Sequence, residues 1–160
     1  MDEAAYLATL PRKRLAVGLY CRDGWDNLLI VQPTYRPTWL VPGGSVEPDE
    51  SPYRACQREA QEELGITLTV GRLLCVDYRA AQAAQSESIH FIFDGGVLNA
   101  STSTQIVLPA DELQDYQFLP FAEAITYLDA WLARRIALAR LAVEEQRTIY
   151  AEDGKERISE

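Results

Sequence analysis

The fold is decided by one stretch of sequence, residues 42–66, which reads P-G-G-S-V-E-P-D-E-S-P-Y-R-A-C-Q-R-E-A-Q-E-E-L-G-I. Ser51 is a favoured residue for capping the start of a helix, and Pro52 at the first helical position has no N–H group to leave unpaired. Gly65 is an equally clear stop signal, because glycine adopts the left-handed conformation without steric cost. The stretch therefore predicts a helix of about 13 residues with a loop on either side.

The predicted helix carries an apolar stripe beside an acidic one. At about 100° per residue, four side chains fall on the stripe expected to face the core: Tyr53, Cys56, Ala60 and Leu64. Glu59, Glu62 and Glu63 share the neighbouring stripe, because residues three and four apart are neighbours on a helix. Ala55 falls within the acidic stripe, where a small side chain would leave room for a ligand.

Stability alone does not favour the acidic stripe. Glu62 and Glu63 lie in the last turn, where the helix dipole disfavours negative charge, and like charges one turn apart repel each other. A solvated acidic face is the ordinary explanation of such a cluster. A divalent cation would remove the repulsion, and three carboxylates form a hard oxygen site suited to Mg²⁺ or Mn²⁺ rather than Zn²⁺.

The spacing of residues in this stretch resembles the Nudix box, the signature of the Nudix hydrolase superfamily. The matching positions are Gly44, Glu50, Arg58, Glu59, Ala60, Glu62, Glu63, Gly65 and Ile66. The resemblance extends over about residues 15–128. It implies an α/β fold, a Nudix-type α/β/α sandwich with a mixed central sheet and a loop-helix-loop motif. Residues 1–160 are then expected to form one domain, with a C-terminal helical extension at about 129–160.

The same resemblance implies an enzyme that uses Mg²⁺, or Mn²⁺, to cleave a phosphoanhydride bond. Its substrate would be a nucleoside diphosphate linked to another moiety: a nucleotide sugar, a dinucleotide or a nucleoside triphosphate. One alternative is a non-catalytic Nudix-fold module that senses a nucleotide, although such modules usually lack box glutamates that this sequence keeps. An RNA-directed Nudix enzyme is a further alternative, which the acidic composition disfavours.

Roles for the box residues follow from the resemblance by position. Glu62, Glu63 and the backbone carbonyl of Gly43 are implied metal ligands. Glu59 is either another ligand or the base that deprotonates the attacking water. Arg58 is implied to pair with a box carboxylate and to orient it. Glu59, Glu63 and Arg58 are therefore the candidate catalytic residues.

Other acidic residues are candidates for supporting roles. Glu50 is interpreted either as binding a second metal ion through water or as favouring the N-terminus of the helix. Family members often use one more acidic residue from a distant loop. Glu112 is the best candidate by position, with Asp111 and Asp115 close behind. A solvated loop acid is the alternative.

Substrate contacts are less constrained by the sequence. Arg36 could reach a phosphate and Trp39 could stack on a base, although an exposed arginine and a packed aromatic are the ordinary roles. His90, the only histidine, is expected to be structural or solvent-facing, on the polar side of an alternating strand. Cys56 is expected to be a packed thiol.

Charge and composition limit the partners. The formal net charge of -9 repels phosphate backbones and anionic membranes, so a small nucleotide ligand is expected rather than nucleic acid or lipid. Three cysteines without C-x-x-C spacing fit a reducing compartment. Neither a secretory signal nor an apolar run of about 20 residues is present, so a cytoplasmic protein is expected. The last helix could pack on the body or on a second subunit of a homodimer.

The rest of the chain gives a coarser set of predicted elements. Strands are predicted at residues 15–20, 28–32, 66–78, 88–93 and 116–119; a polar loop at 100–104; two helices within 121–147; and a turn with a polar end at 151–160. Gly95 and Gly96 predict a bulge or bend.

Overall fold

The computed structural model describes residues 2–158, which form a mixed sheet with helices on both faces. The strands are β1 (Arg14–Arg22), β2 (Leu28–Pro33), β3 (Gly43–Ser45), β4 (Leu73–Arg79), β5 (Ser88–Val97), β6 (Leu113–Leu119), β7 (Ile149–Glu152) and β8 (Lys155–Glu156). The helices are α1 (Glu3–Thr9), α2 (Pro52–Leu64), α3 (Ala100–Ser103), α4 (Phe121–Tyr127) and α5 (Ala130–Glu144). Within residues 2–158, none of these helices combines the length and apolar character needed to cross a membrane.

The strands run in the spatial order β6-β2-β1-β5-β4-β7-β8, and β3 pairs with β1. The β1–β5 and β4–β7 pairs are parallel, whereas the other pairs are antiparallel. The predicted mixed sheet is therefore confirmed. The bulge is confirmed as well, because the register of β1 against β5 passes from Asp94 directly to Gly96. A side chain at Gly95 would meet Cys21 Sγ at 2.2 Å.

Successive side chains of the central strands point to opposite faces of the sheet and pack into two separate hydrophobic cores. Leu19 and Leu29 pack on the face covered by α2, whereas their chain neighbours Tyr20 and Ile30 pack on the face covered by α4 and α5. Both faces of the sheet are thus buried under helices. This arrangement is the α/β/α sandwich that the sequence predicts.

Helix α2 has the predicted bounds. Ser51 Oγ accepts a hydrogen bond of 3.2 Å from the Arg54 amide at its start, and Gly65 closes it in the left-handed conformation with φ of 67°. Cys56 is buried, as predicted, and burial raises the pKa of its thiol to about 12. The other two cysteines are also buried free thiols.

Two predictions about the faces of α2 are wrong. Tyr53, expected on the core stripe, is 41% exposed, with its ring edge-on to Phe93 and its hydroxyl donating to the Val70 carbonyl. Ala55 was assigned to an open acidic face but is fully buried. The helix is therefore rotated so that Glu59 and Glu63, rather than Tyr53, turn towards the body of the protein.

The C-terminal part differs most from prediction. Helix α5 is present, but the chain then returns to the sheet as β7 and β8 instead of extending as a helix over residues 129–160 or ending in a free turn. Strand β7 pairs in parallel with β4 and buries Ile149, and the fully buried Asp77 on β4 accepts a 2.9 Å hydrogen bond through Oδ1 from the Gly154 amide between β7 and β8. Residues 1, 159 and 160 lie outside the described part of the chain.

Smaller differences concern two connecting segments. Residues 100–104 were predicted to be a loop but contain the one-turn helix α3, capped by the side chain of Asn99. Of the predicted strand region 66–78, only the part from Leu73 onwards belongs to the sheet.

Candidate active site

The strand β3 lies against α2 through two glycines. The Gly43 amide donates a 2.8 Å hydrogen bond to Glu63 Oε2. A side chain at Gly44 would lie only 2.3 Å from Glu59 Oε1, so the absence of a Cβ lets this carboxylate approach the backbone. At Gly43, a Cβ would meet the Val17 carbonyl oxygen at 2.1 Å, and φ is +149°. The two glycines therefore seat the acidic face of α2 against the edge of the sheet.

Arg58 ties together three glutamates. Its Nε and Nη2 donate to the two oxygens of Glu50 at 2.9 and 3.0 Å, a bidentate pair. Its Nη1 donates to both Glu59 and Glu62 at 2.9 Å, and Nη2 also donates to the Ser45 carbonyl. Hydrogen bonding by Arg58 is the main reason why the pKa of Glu50 is lowered. The arginine predicted to orient a box carboxylate thus contacts three of them.

Glu63 and Glu59 are carboxyl groups in an unfavourable place for negative charge. Glu63 is only 8% exposed, and burial raises its pKa to about 8 despite the hydrogen bond from the Gly43 amide. The charges of Glu59, Glu112 and Glu62 raise it further. Burial also raises the pKa of Glu59, against the lowering effect of Arg58. A bound cation would reverse this penalty.

Of the three candidate loop acids, the field of Glu112 reaches the site. The charge of Glu112, immediately before β6, contributes to the raised pKa of both Glu59 and Glu63. Asp115 instead uses its two oxygens on its own strand, accepting from the Tyr116 amide and from the Gln117 side chain. Asp111 is exposed beside Glu112. Of the three acids, Glu112 is therefore the best candidate for an additional acidic residue of the site.

The chemistry of the donors fits a divalent cation, although the side chains as placed do not form a ready cage. Within residues 2–158, Glu59, Glu62 and Glu63 each receive a hydrogen bond on one oxygen only, which leaves a second oxygen for another partner. No three acidic, His or Cys side chains in the same range converge on a common metal position. Arg58 draws Glu59 and Glu62 to one nitrogen, so an ion would compete with its guanidinium.

Replacing Gly44 by Ala is expected to lower activity by about 10–100-fold without unfolding the protein, the size of effect typical for groups that orient metal ligands. The new methyl group would displace the Glu59 carboxylate, which lies 2.3 Å from the Cβ position. Initial rates and thermal melting check this. Gly24→Ala is the matched control, because no atom lies within 4 Å of the corresponding Cβ position. Equal activity of the two variants would contradict the expectation.

A cleft of about 240 Å³ opens on the other side of the glycine pair, between the sheet and the first half of α5. Gly43 and Gly44 form part of its wall. Its polar and aromatic lining consists of Tyr35, Arg36, Arg79, His90, Asp129, Trp131 and Arg135. Three arginines around one cavity are notable in a chain of net charge -9.

Arg36 and His90 lie on the wall of this cleft, whereas Trp39 lies in the core. Arg36 lines the cleft, and its Nη2 is 2.9 Å from Asp129 Oδ2; a contact to substrate stays a prediction. Trp39 is 8% exposed in the core and edge-on to Tyr127, which agrees with the packed role rather than with stacking on a base. His90 is on the cleft wall rather than towards solvent, and its Nε2 is 2.9 Å from Ser88 Oγ.

The acid stability of the protein should depend on His90. Burial, and then the positive charges of Arg135 and Arg79, lower its pKa to about 3, so it stays neutral in the fold while an unfolded histidine titrates near 6.5. The unfolded state then binds more protons between these pH values, and the free energy of unfolding falls as pH drops from about 6.5 towards 3. Urea unfolding at pH 7 and pH 4.5 should show a smaller loss for His90→Gln than for the wild type. The same pH dependence in both proteins would count against this account.

Sequence reasoning missed the cleft residues on β4 and α5. Trp131 and Arg135 are four residues apart and so share one face of α5, but the sequence prediction for this helix concerns only its packing on the body or on a second subunit. Arg79 at the end of β4 gave no signal by itself. Its guanidinium carbon lies 4.6 Å from the centroid of the Trp131 ring.

Comparison with known proteins supports the assignment of the box. The sequence model of the NUDIX domain matches residues 12–141. Diphosphoinositol polyphosphate phosphohydrolase 2 of Rattus norvegicus is 42% identical over 64 residues, covering 39% of this chain and 36% of that protein. Diphosphoinositol polyphosphate phosphohydrolase 3-alpha of Homo sapiens is 41% identical over 66 residues, covering 41% of this chain and 40% of that protein. The matched segment thus spans well under half of these relatives.

Solved structures share the fold over most of the chain. The MutT protein from Methanosarcina mazei Go1 is 24% identical with a TM-score of 0.68, covering 87% of this chain and 100% of that one. A UDP-X diphosphatase is 22% identical with a TM-score of 0.70, covering 94% and 75%. The NUDIX domain of Shewanella oneidensis NrtR, complexed with ADP ribose, is 21% identical with a TM-score of 0.70, covering 89% and 99%. At these identities the likeness concerns the fold alone.

Proposed function

The chain belongs to the NUDIX domain family, and on this basis we propose that it is a Mg²⁺-dependent hydrolase that cleaves a phosphoanhydride bond in a nucleoside diphosphate linked to another moiety. One observation carries the proposal. On α2, Glu63 lies against Gly43 and Glu59 lies against Gly44, Glu62 is joined to Glu59 through Arg58, and this one arginine balances the charges only in part. Such an arrangement costs stability unless a cation completes it.

Each acidic residue of the site has a distinct role in this proposal. Glu62 and Glu63 would hold the ion, with the carbonyl of Gly43 as a further oxygen ligand. Glu59 would either join them or accept the proton of the attacking water. Burial raises the pKa of Glu59, which makes this carboxylate a stronger proton acceptor than an ordinary glutamate. When bound, the divalent cation supplies charge neutralisation for the phosphate oxygens and makes a water molecule easier to ionise.

Arg58 acts by position rather than by touching the substrate. Its Nε and Nη2 donate to the two carboxylate oxygens of Glu50, and its Nη1 donates to both Glu59 and Glu62. Because Glu50 is engaged on both oxygens by Arg58, we assign it to anchoring this arginine. Glu112 would add negative charge at the rim of the site, where a second ion could use it.

The relatives suggest which substrates to test first. The two sequence relatives are named for diphosphoinositol polyphosphates, one solved structure is named a UDP-X diphosphatase, and another is complexed with ADP ribose. All of these compounds contain a diphosphate attached to a larger group. The phosphoanhydride bond is common to these compounds, so the group attached to the diphosphate is what a substrate screen has to compare.

The test is a product-release screen with Mg²⁺ and, separately, Mn²⁺. It includes nucleotide sugars, ADP-ribose, a dinucleoside tetraphosphate, nucleoside triphosphates and a diphosphoinositol polyphosphate. We expect turnover of at least one nucleotide, abolished by a chelator and restored by added Mg²⁺. Turnover that persists in the chelator would contradict the metal-dependent mechanism. Tight nucleotide binding without any turnover would instead identify a nucleotide-sensing module.

A further inference from the structure

The N-terminal arm, residues 2–13, carries apolar side chains that the body of the protein leaves uncovered. Every residue of this arm is exposed, and α1 within it has no buried residue. Tyr6, Leu7 and Leu10 are 55%, 53% and 41% exposed. A helix of seven residues is only marginally stable by itself, because isolated helices need about 12 residues or more in water. The exposure of this short apolar helix therefore indicates a surface outside its own chain on which it packs.

A second uncovered apolar surface lies at the opposite end of β1. The turn between β1 and β2 presents Trp25, which is 86% exposed, and Val97, paired with Arg22 at the end of β1, is 57% exposed. Trp25 and Val97 are called the hairpin surface below. The turn is well ordered, because Asp23 Oδ1 accepts hydrogen bonds of 2.9 Å from the amides of Trp25 and Asn27. An exposed tryptophan on a fixed turn is suited to anchor a protein interface.

The part of the arm next to the sheet is basic. The arm runs into three consecutive basic residues, Arg12, Lys13 and Arg14, whereas its two acids, Asp2 and Glu3, lie at its far end. Lys13 pairs with Glu87, and Arg14 donates to the Ser86 hydroxyl, so both lie against the body. Arg12 is exposed and directly follows the apolar segment. An acidic surface would therefore complement the end of the arm.

The hairpin surface is surrounded by acids. Asp23 and Asp26 belong to the turn itself, and Asp94 precedes Val97 on β5. Arg22 lies between them, but its nitrogens are 3.5 Å from both Asp26 and Asp94, which is long for an ion pair. The side chain of Asp26 is 60% exposed. Apolar residues beside unbalanced acids match the apolar residues beside Arg12 on the arm.

The arm of one chain falls short of its own hairpin surface. β1 has nine residues and is about 26 Å long, at about 3.3 Å per residue. The arm leaves β1 at Arg14, and a fully extended connection places Leu10 within about 14 Å of that residue. Tyr6, one helical turn further along, lies within about 20 Å of it. Because Trp25 lies beyond the far end of β1, the surface that the arm covers belongs to another molecule.

We propose that the N-terminal arm docks on the hairpin surface of a second copy of this chain, in a two-fold dimer that exchanges both arms. A two-fold axis that sets the two β1 strands antiparallel brings the start of each strand beside the end of the other. Each arm then meets the hairpin surface of the other molecule, with the apolar side chains of α1 against Trp25 and with Arg12 near the acidic turn. The contact is independent of the proposed function, because none of these residues lines the cleft or belongs to α2.

The oligomeric state of the full chain tests this contact. Sedimentation velocity of the wild type is compared with that of an arm variant, Leu7→Asp with Leu10→Asp, and of a hairpin variant, Trp25→Ala. All three positions are exposed, so both variants should keep the folded body, which circular dichroism checks. Val107→Asp is the matched control, because Val107 is 69% exposed and lies beside Gly65 at the end of α2.

We expect a wild-type dimer that weakens as salt is added, since the contact includes opposite charges at the surface. The arm variant and the hairpin variant should each associate at least about tenfold more weakly than the wild type. Val107→Asp should dimerise as the wild type does. A wild type that stays monomeric at about 100 µM would overturn the proposal. A dimer that is lost in the arm variant but kept in Trp25→Ala would also overturn it, because the arms would then pack on each other.

Mixing the two variants gives the most specific result. The hairpin variant supplies an intact arm and the arm variant supplies an intact hairpin surface, so one complete contact forms between unlike chains. The mixture should therefore associate more tightly than either variant alone. Association of the mixture that is no tighter than that of the separate variants would contradict the exchange of arms. Neither metal nor turnover is needed, so the outcome is separate from that of the hydrolysis screen.

Discussion

Glu63→Gln should lower kcat by about 10²–10⁴-fold while the protein stays folded, on whichever substrate the screen identifies. Glu63 is the most buried acid of the site, and its Oε2 is fixed by the Gly43 amide. The substitution keeps the size of the side chain but removes the charge that a cation would meet. Burial of the carboxylate is itself unfavourable, so the variant should unfold at an equal or higher temperature than the metal-free wild type.

The control for this prediction is Glu123→Gln, which changes an exposed glutamate on α4. It should retain wild-type kcat and KM. Measuring kcat together with the unfolding temperature then distinguishes a loss of catalysis from a loss of stability. If Glu63→Gln kept most of the wild-type kcat at saturating Mg²⁺, the assignment of this carboxylate to metal binding would be wrong.

Asp77→Ala should lower the free energy of unfolding by about 3–5 kcal/mol, the usual cost of removing one partner from a buried ion pair. Arg135 would remain buried with neither Nε nor Nη2 bonded, and the Gly154 amide would lose its acceptor as well. Because the same carboxylate joins β4, α5 and the β7–β8 turn, the damage should spread to the C-terminal strands. Urea unfolding followed by circular dichroism measures the loss.

Two control variants distinguish the loss of the buried ion pair from the loss of any ion pair. Glu144→Ala removes the exposed pair with Arg140 and should cost no more than about 0.5 kcal/mol. The double variant Asp77→Ala with Arg135→Met removes both charges and should recover a large part of the loss, since an apolar replacement of a buried pair is often tolerated. A loss below about 1 kcal/mol for Asp77→Ala alone would contradict the role given to this pair.

The parts of the fold that the sequence predicts well are those specified by local signals. The bounds of α2 follow from Ser51, Pro52 and Gly65, each of which acts on its immediate neighbours. The bulge at Gly95 is also local. The three box glutamates were found by spacing on one helix, and the structure brings them to one edge of the sheet.

The features that the sequence did not predict depend on contacts between distant segments. Strand β7 forms because Ile149 and its neighbours pair with β4, more than 70 residues earlier in the chain. The cleft arginines come from three separate elements, so no single segment shows the pattern. Tyr53 was misplaced because helical periodicity defines a face of α2 but not the rotation at which the sheet receives it.

We propose that the carboxylates of α2 form a divalent-metal site. Titration of Mn²⁺ followed by electron paramagnetic resonance tests it without knowledge of the substrate. The wild type should bind Mn²⁺ saturably and release it to excess Mg²⁺, and the double variant Glu62→Gln with Glu63→Gln should bind it at least about tenfold more weakly. Equal Mn²⁺ affinity in the wild type and the double variant would contradict the account.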